Sequence, residues 1–308
     1  MKNKLLSRLK KLNFGCAALV IAFSFFSLRS FSADRDTVLN SHKIKTIIID
    51  AGHGTRSNGS RSGANGSFSY ESNVTLSIAL KLQQQIEKSL PDVKVVMTRS
   101  TDEDVPFRTR ANIANTNKGD LFISIHCNSL PDRRHTEVVG YKKGKRGKKT
   151  PIYKTVSSAD RSGKGVLLLV YSTKRTGPQV EALRENADLY DDKDYKDQYN
   201  GYDPNDPESF IILEAFKNRF RKQSIHFANL INSEFVDTDG RRSEGVREQV
   251  LFVLDHTAMP SVLVETGYIN NPDDEEYLNS ENGQQEIVNS IVRAITNYKK
   301  EAEQPRTE

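Results

Sequence analysis

Cysteine is nearly absent: of 308 residues only Cys16 and Cys127 are cysteines. Removal of an N-terminal leader would leave Cys127 alone and exclude an intramolecular disulfide, so the fold must be held by its core or by a metal. No apolar run is long enough to cross a bilayer. The longest, at 14–28, has about 15 residues against the ~20 that a span needs. Basic helices with interleaved aromatics and zinc-finger spacings are both missing, so the net charge of +5 does not point to nucleic acid. There are no internal repeats. No serine sits in a nucleophile-elbow pattern, which argues against a serine hydrolase.

What is present begins with a targeting signal. Lys2, Lys4, Arg8, Lys10 and Lys11 form a basic segment before the apolar run, and Ser30-Phe31-Ser32 places small residues where a signal peptidase reads. Cleavage is expected after Ser32, giving a signal peptide at 1–32 and a secreted or periplasmic chain at 33–308 with no stable membrane span. The alternative is a retained anchor. Cys16 starts the apolar run and does not end it, so the pattern is not that of a lipoprotein.

Three short β-branched runs, at 45–50, 120–125 and 261–264, read as buried strands, with a fourth at 93–98. Helical spacing occupies 73–90 (Val74, Ile78, Leu82, Ile86), 106–117 with Pro106 in its first turn, and 284–298 (Ile287, Ile291, Ile295). Alternating strands and helices predict an α/β fold: a twisted, mostly parallel sheet with helices on both faces. Residues 130–240 look different and read as an insertion over the cleft. They open with a polybasic run from Lys142 to Lys149, which reads as a solvated loop, with contact to anionic wall or lipid groups as the alternative. A strand at 165–171, a helix at 178–189, an acidic Tyr-rich loop at 190–207 and a helix at 208–235 follow.

His53, His126 and Glu265 each follow one of the three strands, at the sheet edge where α/β proteins bind ligands. Two imidazoles and a carboxylate suit a catalytic zinc site with one open position. Glu71, opening the first helix, fits as the carboxylate ligand. Taken singly, each residue has a plainer reading: a surface histidine, or a glutamate favoured by a helix dipole. Glu265 is harder to explain away, because a carboxylate ending an apolar strand costs several kcal/mol unless partnered or protonated.

Six segments, in order, settle more: 47–54 (IIIDAGHG), 71–82 (ESNVTLSIALKL), 95–102 (VVMTRSTD), 110–115 (RANIAN), 120–128 (DLFISIHCN) and 259–272 (MPSVLVETGYINNP). In these the chain resembles the zinc-dependent N-acetylmuramoyl-L-alanine amidases often called amidase type 3. It departs at Ala51, where the family usually has Pro, and at Cys127, where a small residue is common. The resemblance implies that His53, Glu71 and His126 hold Zn2+ and that Glu265 is the catalytic carboxylate. It also implies hydrolysis of the bond between N-acetylmuramic acid and L-alanine in peptidoglycan, in wall remodelling and cell separation. The alternatives are a carboxypeptidase or deacetylase on the same fold, or an inactive wall-binding protein. Family members that act in cell separation carry a helix that covers the zinc until an activator withdraws it. The segment around 184–188 resembles that helix, with Glu185 as the residue expected to reach the metal and a LytM-domain-type protein as the implied activator. Cys127 is expected on the opposite face of its strand from His126.

Overall fold

The computed structural model describes residues 43–144, 148–172 and 209–304. The expected signal peptide, the 178–189 helix and Glu185 lie outside the described residues.

Six strands form one sheet, in the order β2-β1-β3-β8-β6-β7. They are β1 (Thr46–Ala51), β2 (Lys94–Met97), β3 (Leu121–Asn128), β6 (Val166–Tyr171), β7 (Ser243–Gln249) and β8 (Ser261–Tyr268). Strands β2, β1, β3 and β8 are parallel; β6 runs antiparallel to β8, and β7 parallel to β6. The central strands are covered on both faces, which is why their sequences read as unbroken apolar runs without alternation. All six residues of β1 and of β6 are buried.

Alternate strand residues feed two cores. On one face Ile47, Ile49, Ile123 and Val264 pack with helix α1 (Glu71–Ser89), helix α3 (Ser209–Ser233) and helix α6 (Glu281–Glu303). Val74, Ile78, Leu82 and Ile86 form the buried stripe of α1, and Ile287, Ile291 and Ile295 that of α6. On the other face Ile48, Phe122 and Leu263 meet Ala114 of helix α2 (Phe107–Thr116) and Leu254 of the short helix α4 (Phe252–Asp255). Between β8 and α6, helix α5 (Pro272–Asn279) is capped by Asn271, whose side chain accepts hydrogen bonds from the Asp273 and Asp274 amides.

Pro106 stands just outside α2, with an extended ψ of 144°, and not in its first turn. Helix α6 is longer than its apolar stripe suggests, because the Ser280 hydroxyl caps it by accepting from the Gly283 amide. Residues within 130–240 build the core as well as decorate it, since β6 is a sheet strand and Phe227 and Ile231 of α3 are fully buried. The polybasic run is not a simple loop. Lys142 and Lys143 end β4 (Arg133–Lys143), and Lys149 begins β5 (Lys149–Ser158); these two strands pair only with each other, as an antiparallel hairpin.

Candidate metal centre

The site lies at the C-terminal ends of β1, β3 and β8, and each strand delivers one group to it. His53 follows β1 with φ 61°, a left-handed conformation that falls on the histidine itself. Of its glycine neighbours, Gly54 takes a positive φ but Gly52 does not. Gly52 is needed for room: a Cβ there would lie 2.4 Å from Cε1 of His126. His126 leaves β3 beside it, and the two rings meet edge to face with centroids 4.8 Å apart. They keep 23% and 15% of their side-chain surface exposed, so the ring edges remain accessible.

Glu71, the first residue of α1, is buried between the rings. Its Oε1 lies 3.2 Å from His53 Nε2 and 3.1 Å from His126 Nδ1. Two backbone amides fix the carboxylate: Cys127 N donates to Oε1 at 3.0 Å, and Ala64 N to Oε2 at 2.7 Å. Burial alone would raise its pKa. The hydrogen bonds and charge of His126 and His53 outweigh that and hold the carboxyl well below the usual range. Burial likewise opposes the charge on His126, and Glu71 outweighs it, raising the ring's pKa.

Glu265 is the residue of β8 paired directly with His126 across the parallel ladder, so it shares that strand face. Its Oε2 is buried with no hydrogen-bond partner among the described residues. Burial, and secondarily the nearby Glu71 carboxylate, push its pKa up to about 7 despite the opposing influence of His126. Cys127 points the other way, into the core, with its sulfur 3.5 Å from the Thr266 hydroxyl and its thiol pKa raised by burial.

Donors on His53, Glu71 and His126 all lie within 4.8 Å of one another. Donors ~2.0–2.1 Å from a tetrahedral zinc stand about 3.3 Å apart, close to the spacings around Glu71 Oε1. Two imidazoles, one carboxylate and an orphaned second carboxylate beside them fit a three-ligand zinc site.

Sequence reasoning gave no role to the groups that hold this loop. Arg110 is fully buried and donates to Asp50 Oδ1 at 2.8 Å and to the carbonyls of Ala51 at 2.5 Å and His53 at 2.7 Å. Arg99 donates to the carbonyls of Ala51, Gly52 and Ser72, each at 2.8 Å. Asp50 also accepts from Thr98 and Ser124 at 2.6 Å. Burial opposes the Asp50 charge, but Arg110 and the two hydroxyls hold its pKa below the ordinary value. The available signal was an arginine inside each of two apolar-rich motif segments.

Comparison with known proteins gives the family and the fold. The chain is 29% identical over 281 residues to the probable N-acetylmuramoyl-L-alanine amidase AmiB of Haemophilus influenzae, covering 91% of this chain and 56% of that protein. It is 28% identical over 253 residues to the N-acetylmuramoyl-L-alanine amidase AmiC of Escherichia coli, covering 82% and 52%. The chain thus spans about half the length of these curated relatives. Among solved structures, the catalytic domain of the amidase CwlV from Bacillus (Paenibacillus) polymyxa shares the fold, with TM-score 0.52 at 24% identity over 82% of this chain and 97% of that one. So does the CwlD amidase from Clostridioides difficile, solved with the GerS lipoprotein, with TM-score 0.53 at 20% identity over 82% and 98%. The family model for N-acetylmuramoyl-L-alanine amidase matches residues 47–297, and the chain belongs to that family.

Proposed function

We propose that this chain hydrolyses the amide joining N-acetylmuramic acid to L-alanine in peptidoglycan, with zinc held by His53, Glu71 and His126. The observation that carries the reading is Glu265: a half-buried carboxylate level with His126 in the strand ladder, its Oε2 buried and without a hydrogen-bond partner among the described residues. When bound, zinc would supply Lewis-acid polarisation of the scissile carbonyl and acidify a water. Glu265 accepts the proton of the attacking water and passes it to the leaving L-alanine nitrogen, the work of a general base and acid. In the metal-free chain Glu71 Oε1 faces both imidazoles, contacts that zinc would replace, and the amides of Ala64 and Cys127 fix the Glu71 carboxylate, so this ligand is held before substrate arrives.

Export by the 1–32 segment and control by the 178–189 helix belong to the same reading, with Glu185 reaching the zinc and a LytM-domain-type partner relieving it. The test is digestion of purified peptidoglycan by the chain, with and without chelator, followed by identification of the new ends. An intact stem peptide with a free L-alanine amine, and a free lactyl carboxylate, are expected. Glu265→Gln is expected to lose at least ~100-fold in turnover. Release of terminal amino acids or of acetate would replace the amidase reading with a carboxypeptidase or a deacetylase.

A further inference from the structure

The β4–β5 hairpin takes no part in the chemistry just described, and its composition sets it apart. Of the chain's 45 Lys and Arg and 40 Asp and Glu, nine and one fall in residues 133–158, leaving 36 and 39 elsewhere. The chain's +5 is therefore a +8 arm on a remainder of −3. No residue of either strand is buried. A two-stranded hairpin is at best marginally stable in water, and this one carries Lys143 directly opposite Lys149, a like-charge pairing that destabilises further.

One face of the arm has the features of a binding surface. The register pairs Val138 with Tyr153 and Tyr141 with Pro151, and the shift between Val138 and Gly140 keeps these four residues on one face. Tyr141 and Tyr153 are each 63% exposed and are diagonal neighbours. Lys143 and Lys149 flank them towards the tip and Arg134 towards the base. The single acid, Glu137, pairs opposite Lys154 on the other face and contacts His135 at 2.8 Å. The face therefore offers two open aromatic rings among cations; among the described residues neither strand puts an acid on it, and Asp132, which accepts from Ser157 at 2.9 Å, stands only at its base.

The arm springs from the catalytic edge. β4 begins five residues after Asn128, the last residue of β3, and its base is tied to the loop after β8. Asn270 Nδ2 donates to the carbonyls of Leu130 and Asp160 at 2.9 Å, and Arg133 bridges to Asp160 at 2.7 Å. The base of the arm thus sits at the sheet edge that carries the candidate metal centre, where a polymer bound to that centre would pass.

We propose that this face of the hairpin is a second contact for the peptidoglycan strand, the tyrosines stacking on sugar rings and the cations pairing with stem-peptide carboxylates. The proposal rests on the amidase reading for the identity of the polymer. An anionic lipid surface would also attract the charge, but the arm's place on the substrate edge, and rings open to a flat saccharide, favour the glycan.

The test uses two paired variants, Tyr141→Ser with Tyr153→Ser, and Lys143→Gln with Lys149→Gln, each assayed on insoluble peptidoglycan and on a soluble disaccharide–peptide fragment. On the polymer, kcat/KM is expected to fall about tenfold or more, through KM, the loss of about 1.4 kcal/mol of contact. On the fragment it is expected to stay unchanged, which also shows that the catalytic fold is intact. Polymer KM should rise with salt more steeply for the wild type than for the lysine variant. Sedimentation with peptidoglycan in a Glu265→Gln background reads binding without turnover. Unchanged polymer kinetics, or equal losses on both substrates, would overturn the proposal. So would binding to phosphatidylglycerol vesicles but not to peptidoglycan. If the wild type cleaves neither substrate yet sediments with peptidoglycan in a hairpin-dependent way, the arm stands and the amidase reading falls.

Discussion

Glu265 makes a cost of function measurable at one residue. Its pKa is raised from 4.5 to about 7, so the folded metal-free chain holds that proton more tightly than the unfolded chain. The group's stabilising contribution is full below about pH 4.5 and is lost as pH rises through about 7. Gln at this position has no proton to lose. In chelator-treated protein, Glu265→Gln is expected to melt with the wild type at pH 4 and a few °C above it at pH 8, since ~1 kcal/mol moves Tm by about 2–4 °C in a domain of this size. Equal melting at both pH values would mean that the carboxylate is solvated. The ligands predict a second result. Zinc binds neutral imidazole, and the His126 pKa is raised, so metal uptake releases protons and weakens in acid. His126→Ala, leaving two ligands, is expected to lose most bound zinc at neutral pH, and near-stoichiometric zinc by metal analysis would refute the assignment.

At the scale of elements, Arg110 of α2 ties a helix to the β1 loop. Lysine cannot reach Asp50 and the carbonyls of Ala51, His53 and Val105 from one nitrogen. Arg110→Lys is expected to weaken zinc binding about 10- to 100-fold, the usual effect of losing an outer support. Arg110→Ala should cost about 3–5 kcal/mol by stranding buried Asp50. A lowered Tm with unchanged zinc affinity in a competition titration would leave Arg110 a purely structural role. The sequence displayed the strands that carry the candidate site, because β1, β3 and β8 are apolar on both faces up to it: His53 lies just after β1, and His126 and Glu265 lie near the ends of β3 and β8. It concealed Arg110, whose burial depends on Asp50 sixty positions away. The hairpin was concealed for another reason: its strands are polar and basic, and the irregularity between Val138 and Gly140 breaks the alternation that marks a strand. Strand β7 (SEGVREQ) is a polar edge strand with the same problem.

At the scale of the whole molecule, the proposed function raises the question of control. If residues 178–189 cover the zinc, basal activity is low, and both deletion of that segment and Glu185→Ala should raise dye release from labelled peptidoglycan at equal zinc loading. Equal rates for all three proteins would remove the lid. A rise in the deletion alone would keep the lid and reject Glu185 as its plug. The sheet order carries a further consequence, for timing. Strand β8 is the last strand in the described chain, yet it lies in the middle of the sheet, the only link between β3 and the β6–β7 pair. The candidate metal ligands His53, Glu71 and His126 all come from the first half of the sequence, but Glu265 arrives with β8. A chain still emerging, or cut before residue 261, has His53, Glu71 and His126 without Glu265 and without the strand that joins β3 to the β6–β7 pair. On the proposed function, hydrolytic competence would come only with the completed domain.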